Sequence, residues 1–202
     1  MQRRDFLSLA LLAAPLPALA QATPGMAAPA FALTDLDGRK LQLADLRGKY
    51  VVLEWNNPAC PFVMKHYNSG NMQGLQKRFT GEGVQWIVIN STAESHSEYL
   101  KPAELKAWLQ KQGAAPTLAA LDTDGAVARA YAAKVTPHMY VIDPNGNLAY
   151  AGAIDDKRSA NAADVKTANN YVVQAFAELR AGKPVSAAST NAYGCTIKFA
   201  AG

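Results

Sequence analysis

The chain has 202 residues, 50% of them hydrophobic and 18% charged, a composition that excludes a disordered or low-complexity protein and suits one domain with a full core. Formal net charge is +4. The basic residues are scattered and form no cluster interleaved with aromatics, which argues against a nucleic-acid partner.

Residues 1–20 read as a signal peptide. Gln2-Arg3-Arg4-Asp5 is a short charged region, residues 6–19 are apolar but broken by Pro15 and Pro17, and Ala18-Leu19-Ala20 has the small-residue cleavage pattern. Arg3-Arg4-Asp5-Phe6-Leu7 resembles the twin-arginine signal that exports folded proteins. The alternatives are an ordinary secretory signal with two chance arginines and an uncleaved anchor, for which the apolar run is short. No later stretch has the length and apolarity to cross a membrane. The expected mature protein is periplasmic, without a stable membrane anchor after cleavage, in a compartment where disulfides persist.

Residues 21–30, rich in Ala and Pro, read as a flexible lead-in. Short strands are predicted at 31–36 and 41–43, and a buried strand at 50–55. A helix follows from 61 to about 67, Ser69-Gly70-Asn71 interrupts it, and a second piece runs over 72–79. The apolar, β-branched run at 84–90 predicts a central strand covered on both faces. A helix is predicted at 102–112, a strand at 117–121, a helix at 124–134 and a strand at 139–142. The turn Asp143-Pro144-Asn145-Gly146 leads to an antiparallel return at 148–154. The longest helix is expected at 164–181, where Val165, Ala168, Val172, Ala175, Phe176 and Leu179 share one side. Residues 183–202 form a C-terminal tail. Alternating units with a terminal hairpin predict an α/β fold, a central mixed sheet with helices on both faces, and reactive groups in such sheets sit at the carboxyl ends of strands.

Cys60 lies just past such an end, between Val51-Val52-Leu53 and Pro61. Proline suits the first turn of a helix, and the free N–H groups and partial positive charge there favour thiolate over thiol. The alternative is a small buried apolar cysteine. Cys195 is the other cysteine of the chain; the pair permits one disulfide, and a C-x-x-C motif is absent.

Val51-Val52-Leu53-Glu54-Trp55 leading into Cys60-Pro61-Phe62-Val63, then Leu121-Asp122-Thr123-Asp124-Gly125-Ala126-Val127-Ala128-Arg129-Ala130-Tyr131, then Val135-Thr136-Pro137-His138-Met139-Tyr140-Val141-Ile142-Asp143 together resemble the thioredoxin-like superfamily, in its redoxin and peroxiredoxin-like (AhpC/TSA-type) branch. The resemblance covers about residues 27–182. It implies a thioredoxin-like fold over 31–182, a cis bond at Thr136-Pro137 beside the active cysteine, and pairing of the Thr136 backbone with an extended stretch of partner. Thr136 and Pro137 would then be substrate-binding residues. An ordinary trans proline at a strand start is the alternative.

The departures bear on mechanism. Related sequences carry Cys-x-x-Cys-Pro, and Asn57 replaces the first cysteine, so no dithiol cycle is possible within the motif. Against the peroxiredoxin pattern Pro-x-x-x-Thr/Ser-x-x-Cys, Leu53 and Asn57 replace Pro and Thr/Ser, and Pro137 falls where an arginine is expected. Gly194-Cys195-Thr196-Ile197-Lys198 looks like a Gly-Cys-Ser-x-Lys tail of close relatives, which would bring Cys195 to Cys60 as resolving thiol; a permanent structural disulfide and a free thiol are the alternatives.

The histidines and Glu54 complete the candidates. His66 is expected on the helix surface. His138 follows the expected cis-proline and could approach Cys60, where as His⁺ it would favour thiolate and with Cys60 could help bind a metal. A merely hydrogen-bonded or solvated histidine is the other reading of both, and His96 has no evident chemistry. Glu54 is either a buried acid that moves protons for Cys60 or a paired strand-end carboxylate. No metal and no cofactor is expected.

The leading expectation is an exported thiol–disulfide oxidoreductase with Cys60 as nucleophile and Cys195 as resolving cysteine. Its partners would be protein thiols and disulfides, or peroxide, with an unidentified reductant. The alternatives are a slow thiol peroxidase and a non-catalytic binding or metal-delivery module on the same scaffold.

Overall fold

The structure is a computed structural model, and it describes residues 22–200. The expected signal peptide lies outside the described residues. In chain order the strands are β1 (Ala32–Asp35), β2 (Lys40–Gln42), β3 (Val51–Trp55), β4 (Gln85–Asn90), β5 (Leu118–Leu121), β6 (Val135–Thr136), β7 (His138–Ile142), β8 (Leu148–Gly152) and β9 (Cys195–Thr196). The α-helices are α1 (Pro61–Asn68), α2 (Asn71–Gly81), α3 (Pro102–Lys111), α4 (Ala126–Ala130) and α5 (Tyr171–Arg180).

A seven-stranded mixed sheet has the order β2-β1-β5-β4-β3-β7-β8, and β6 and β9 form a separate ladder. All five residues of β3 are buried, as its apolar composition requires of a central strand. β3 pairs in parallel with β4 and antiparallel with β7, so that Leu53 lies between Ile87 and Tyr140. Side chains alternate between two cores. Val52, Trp86, Val88, Met139 and Val141 meet buried residues of α1, α2, α3 and α5. Val51, Leu53, Trp55, Ile87, Ile89, Tyr140 and Ile142 meet Val127 and Ala128 of α4. The fold is therefore the α/β architecture read from the sequence, with helices on both faces of a mixed sheet.

Three helical segments show how local chemistry sets boundaries. Gly70, in the left-handed region at φ 73°, separates α1 from α2. The helix expected at 124–134 is confined to α4: the Asp122 carboxylate accepts from Val127 N and Ala128 N at its start, and Ala132 at φ 51° ends it. The long helix expected at 164–181 is divided into a 3-10 segment (Ala162–Thr167) and α5, because Asn170 is extended and its side chain accepts from Val173 N at 3.0 Å. In the lead-in, Gly25 N and Ala28 N hydrogen-bond to the Leu148 and Gly146 carbonyls.

Candidate active site

β3 delivers the chain to the loop 56–59, and the loop delivers Cys60 to the first turn of α1. Asn57 shapes that loop: its Oδ1 accepts from Ala59 N at 2.9 Å and its carbonyl accepts from Cys60 N at 3.0 Å. Its Nδ2 donates to Glu98 Oε2 at 2.6 Å. The residue that replaces a cysteine thus carries a hydrogen-bonded carboxylate instead. Cys60 is extended, at φ −81° and ψ 120°, with Pro61 opening the helix behind it. It is 1% exposed and packs in the core on the α1–α2–α5 side of the sheet.

The Thr136–Pro137 peptide is cis. Cys60 Sγ donates to the Thr136 carbonyl oxygen at 3.0 Å. Across the β6–β9 ladder, Val135 pairs with Thr196 and Thr136 with Cys195. Both cysteines are free thiols. Cys195 is half-buried and packs against the cluster that contains Cys60; burial first, then the neighbouring Cys60 thiol, push its own thiol up to about 12, with Glu98 adding to the rise and Lys198 opposing it. The structure therefore brings together Cys60, Thr136, Pro137 and Cys195. The strand lying along the Thr136 backbone is the protein's own tail.

That tail runs as a strap over the site. Ala151 N donates to Ala188 O and Thr190 N to Ala151 O beside β8. Beyond Cys195, Ile197 N donates to Lys134 O at 3.0 Å, Ala93 N to Lys198 O at 2.8 Å, and Phe199 lies under the Arg129 guanidinium. Gly194 sits against the Thr136 carbonyl with no room for a side chain, at φ 147°.

A buried polar cluster, not foreseen from the sequence, anchors the strap. Lys65 Nζ of α1 lies 3.1 Å from Asp155 Oδ2, 2.7 Å from the Lys157 carbonyl and 3.1 Å from Tyr193 OH. The Tyr193 hydroxyl donates in turn to Asp155 Oδ1. Burial, then Asp155, push the Tyr193 phenol upward, so it stays a neutral donor. Its ring meets the edge of Phe62, two residues past Cys60, at 5.8 Å. The lysine and aspartate side chains are 0% and 2% exposed.

His66 departs from its expected surface placement, and His138 follows its hydrogen-bonded reading, with Nδ1 3.2 Å from Tyr140 OH. His66 is buried rather than on the helix surface; its Nδ1 lies 2.9 Å from Asn71 Nδ2 and its Nε2 3.8 Å from Asp155. Burial lowers its pKa to about 4 against the pull of Asp155. His138 does not turn toward Cys60. Alternation along β7 places it with Tyr140, whose ring is 4.6 Å away, on the face opposite Met139 and Cys60. Burial, aided by Lys134, lowers its pKa to about 4. His96 Nδ1 accepts from Glu98 N at 3.1 Å and so shapes the loop holding Glu98.

Glu54 is fully buried on the Cys60 side of β3. Asn56 Nδ2, Tyr67 OH, Gln76 Nε2 and Trp86 Nε1 donate to its two oxygens at 2.8–3.0 Å. Burial raises its pKa, and the four donors restrain the rise. Among the described residues no group of three or more His, Cys, Asp or Glu is arranged to hold a metal, and no helix is long and apolar enough to cross a membrane.

Comparison with known proteins places the chain in a family. The AhpC/TSA family matches residues 24–151. The chain belongs to the AhpC/TSA family. The family match takes in Cys60, Thr136 and Pro137; Asp155, Tyr193 and Cys195 lie beyond it. A thiol-disulfide oxidoreductase ResA of Bacillus subtilis (strain 168) is 28% identical over 127 residues, which is 61% of this chain and 64% of the relative. The chain thus spans somewhat less than two thirds of that relative. An uncharacterized conserved protein from Geobacillus kaustophilus has a similar structure, with TM-score 0.76 and 27% identity over 90% of this chain and 95% of that one. A putative thiol:disulfide interchange protein DsbE from Chlorobium tepidum shares the fold, with TM-score 0.53 and 24% identity over 65% of this chain and 85% of that one.

Proposed function

We propose that the protein is an exported thiol–disulfide oxidoreductase of redoxin type, with Cys60 as nucleophile and Cys195 as resolving cysteine. One observation carries the reading: the β6–β9 ladder sets Cys195 opposite Thr136, whose carbonyl holds Cys60 Sγ, so one threonine gathers two cysteines far apart in sequence. The likeness to a protein named as a thiol-disulfide oxidoreductase supports it, and the signal-like residues 1–20 support export to a compartment where disulfides persist.

Cys60 as thiolate attacks one sulfur of a partner disulfide. A mixed disulfide forms, and the other partner sulfur leaves as thiolate and takes a proton. Cys195 then loses its proton and attacks Cys60 Sγ. The Cys60–Cys195 bond forms, the mixed disulfide breaks, and the second partner sulfur leaves as thiol. The partner has gained two electrons and the protein has lost them; a dithiol reductant returns both cysteines to thiols. Cys195 supplies the second thiol that Asn57 denies to the motif.

The test is to mix reduced protein with a disulfide peptide and quench with acid. In Cys195→Ser a mixed disulfide should accumulate on Cys60; in the wild type peptide mapping should find Cys60 joined to Cys195. No adduct on Cys60 in the variant would end the exchange reading. Rapid sulfenic acid on Cys60 with hydrogen peroxide, without mixed disulfide, would replace it with a thiol peroxidase.

A further inference from the structure

Cys60 is 1% exposed and Cys195 packs against the core cluster that contains it, so the strap is part of what covers the thiol. What fixes the strap at that point is therefore part of how the site works. β9 itself is two residues long. A ladder that short holds little on its own.

The stronger hold lies two residues earlier. Lys65 and Asp155 are already engaged without the tail: the ammonium has the carboxylate and the Lys157 carbonyl, and the carboxylate also accepts from Lys157 N at 3.0 Å. Tyr193 adds a hydroxyl that accepts from the lysine and donates to the aspartate, and a ring set against Phe62. Hydrogen bonds to charged groups out of water are among the stronger ones. Between Tyr193 and Cys195 there is only Gly194, pressed onto the Thr136 carbonyl. A fixed Tyr193 leaves Cys195 one glycine of freedom.

We infer that Tyr193, seated on the buried Lys65–Asp155 pair, is the positioning residue that holds Cys195 over Cys60. The inference rests on the exchange reading above and adds the group that sets how readily the two thiols join and how often the strap lifts. Lys65 is on α1 itself, so the seat and the nucleophile are carried by one helix.

The experiment equilibrates the full chain with mixtures of reduced and oxidised glutathione. Two cysteine thiols and one glutathione disulfide give one Cys60–Cys195 disulfide and two glutathione thiols, and the equilibrium constant measures the effective concentration of the pair. Tyr193→Phe keeps the ring and removes the hydroxyl; the constant should fall about tenfold. In the Cys195→Ser background, where Cys60 is the single thiol, adding Tyr193→Phe should raise the Cys60 alkylation rate several-fold. Tyr131→Phe, which deletes a hydroxyl bound to the Pro29 carbonyl on the far side of the sheet, should change neither quantity. An unchanged constant and rate in Tyr193→Phe, or equal changes in Tyr131→Phe, overturns the positioning role while leaving the exchange reading in place. Failure of the wild type to form the Cys60–Cys195 disulfide under any glutathione ratio overturns the exchange reading, and this inference with it.

Discussion

Cys195 faces Thr136 across an antiparallel ladder, and the carbonyl of that same threonine accepts the thiol of Cys60. One backbone unit therefore sets the mutual position of two sulfurs brought in from opposite ends of the fold. Its other neighbour is Gly194, where any side chain would overlap the Thr136 carbonyl.

Gly194→Ala is the most direct probe of that contact. The φ of 147° disfavours an L residue and the new methyl meets backbone, which cannot move aside cheaply. Loss of about 1–3 kcal/mol of stability is expected. Cys60 alkylation in the Cys195→Ser background should speed up together with the fall in stability. A variant as stable and as unreactive as its parent would mean that the strap is not held at this point.

Lys65→Met should be severe. It leaves Asp155 buried without its cation, a change that costs about 3–5 kcal/mol when one partner of a buried pair is removed. The double variant Lys65→Met/Asp155→Leu should recover most of that loss, because the uncompensated charge is gone. Denaturant unfolding of the wild type, Lys65→Met, Asp155→Leu and the double variant gives the comparison; an additive double variant would contradict the pairing.

His66 predicts an acid-side loss of stability. Its folded pKa of about 4 lies below the unperturbed 6.5, so the unfolded chain binds more protons between those values and stability falls as pH drops through that window. The full effect is about 3 kcal/mol at the most. His138 titrates with the same sign. Unfolding free energy measured at steps from pH 7 to pH 4 should fall less steeply in His66→Gln than in the wild type, and parallel curves would exclude His66 as a contributor.

Glu54 works in the other direction. Burial raises its folded pKa, so the native state holds the proton more tightly and the contribution of this group to stability declines as pH rises from the ordinary carboxyl value through the folded one. Glu54→Gln removes that slope. It also turns an amide N–H₂ toward donors, at a cost of about 1–3 kcal/mol. Urea titrations across pH 4–8 should show a lower curve for the variant, with its gap from the wild type narrowing as pH rises.

How much of this was legible depended on how local the cause was. The apolar runs of β3 and β4 and the break at Gly70 carry their own signal, and the structure follows them. Asn170 also carried one: asparagine favours a helix N-cap, but the apolar spacing of Val165, Ala168 and Val172 runs through it and suggested one continuous helix. His138 could have been placed from Met139, since adjacent strand residues point to opposite faces. Lys65 had no such sign. A lysine in an amphipathic helix reads as solvent-facing, and the aspartate that makes its burial tolerable is 90 positions away. The early end of α4 at Ala130 is likewise set by distant contacts, since Tyr140 OH binds the Tyr131 carbonyl just past it. The resemblance of the tail suggested Cys195 near Cys60, but its pairing with Thr136 was not legible, because no periodicity announces a two-residue strand.

The strap also closes the open side of β8. Ala188 and Thr190 hydrogen-bond to Ala151, and Gly152 leaves no space for a side chain beneath Thr190. An uncovered outer strand offers unpaired N–H and C=O groups to any neighbouring molecule. Lifting of the strap to admit a partner is thus compatible with a monodisperse protein only if it hinges after Thr190. Shortening the chain ahead of Ala188 would yield a sticky particle instead of a permanently accessible thiol, and attempts to build a constitutively open form should keep residues through Thr190.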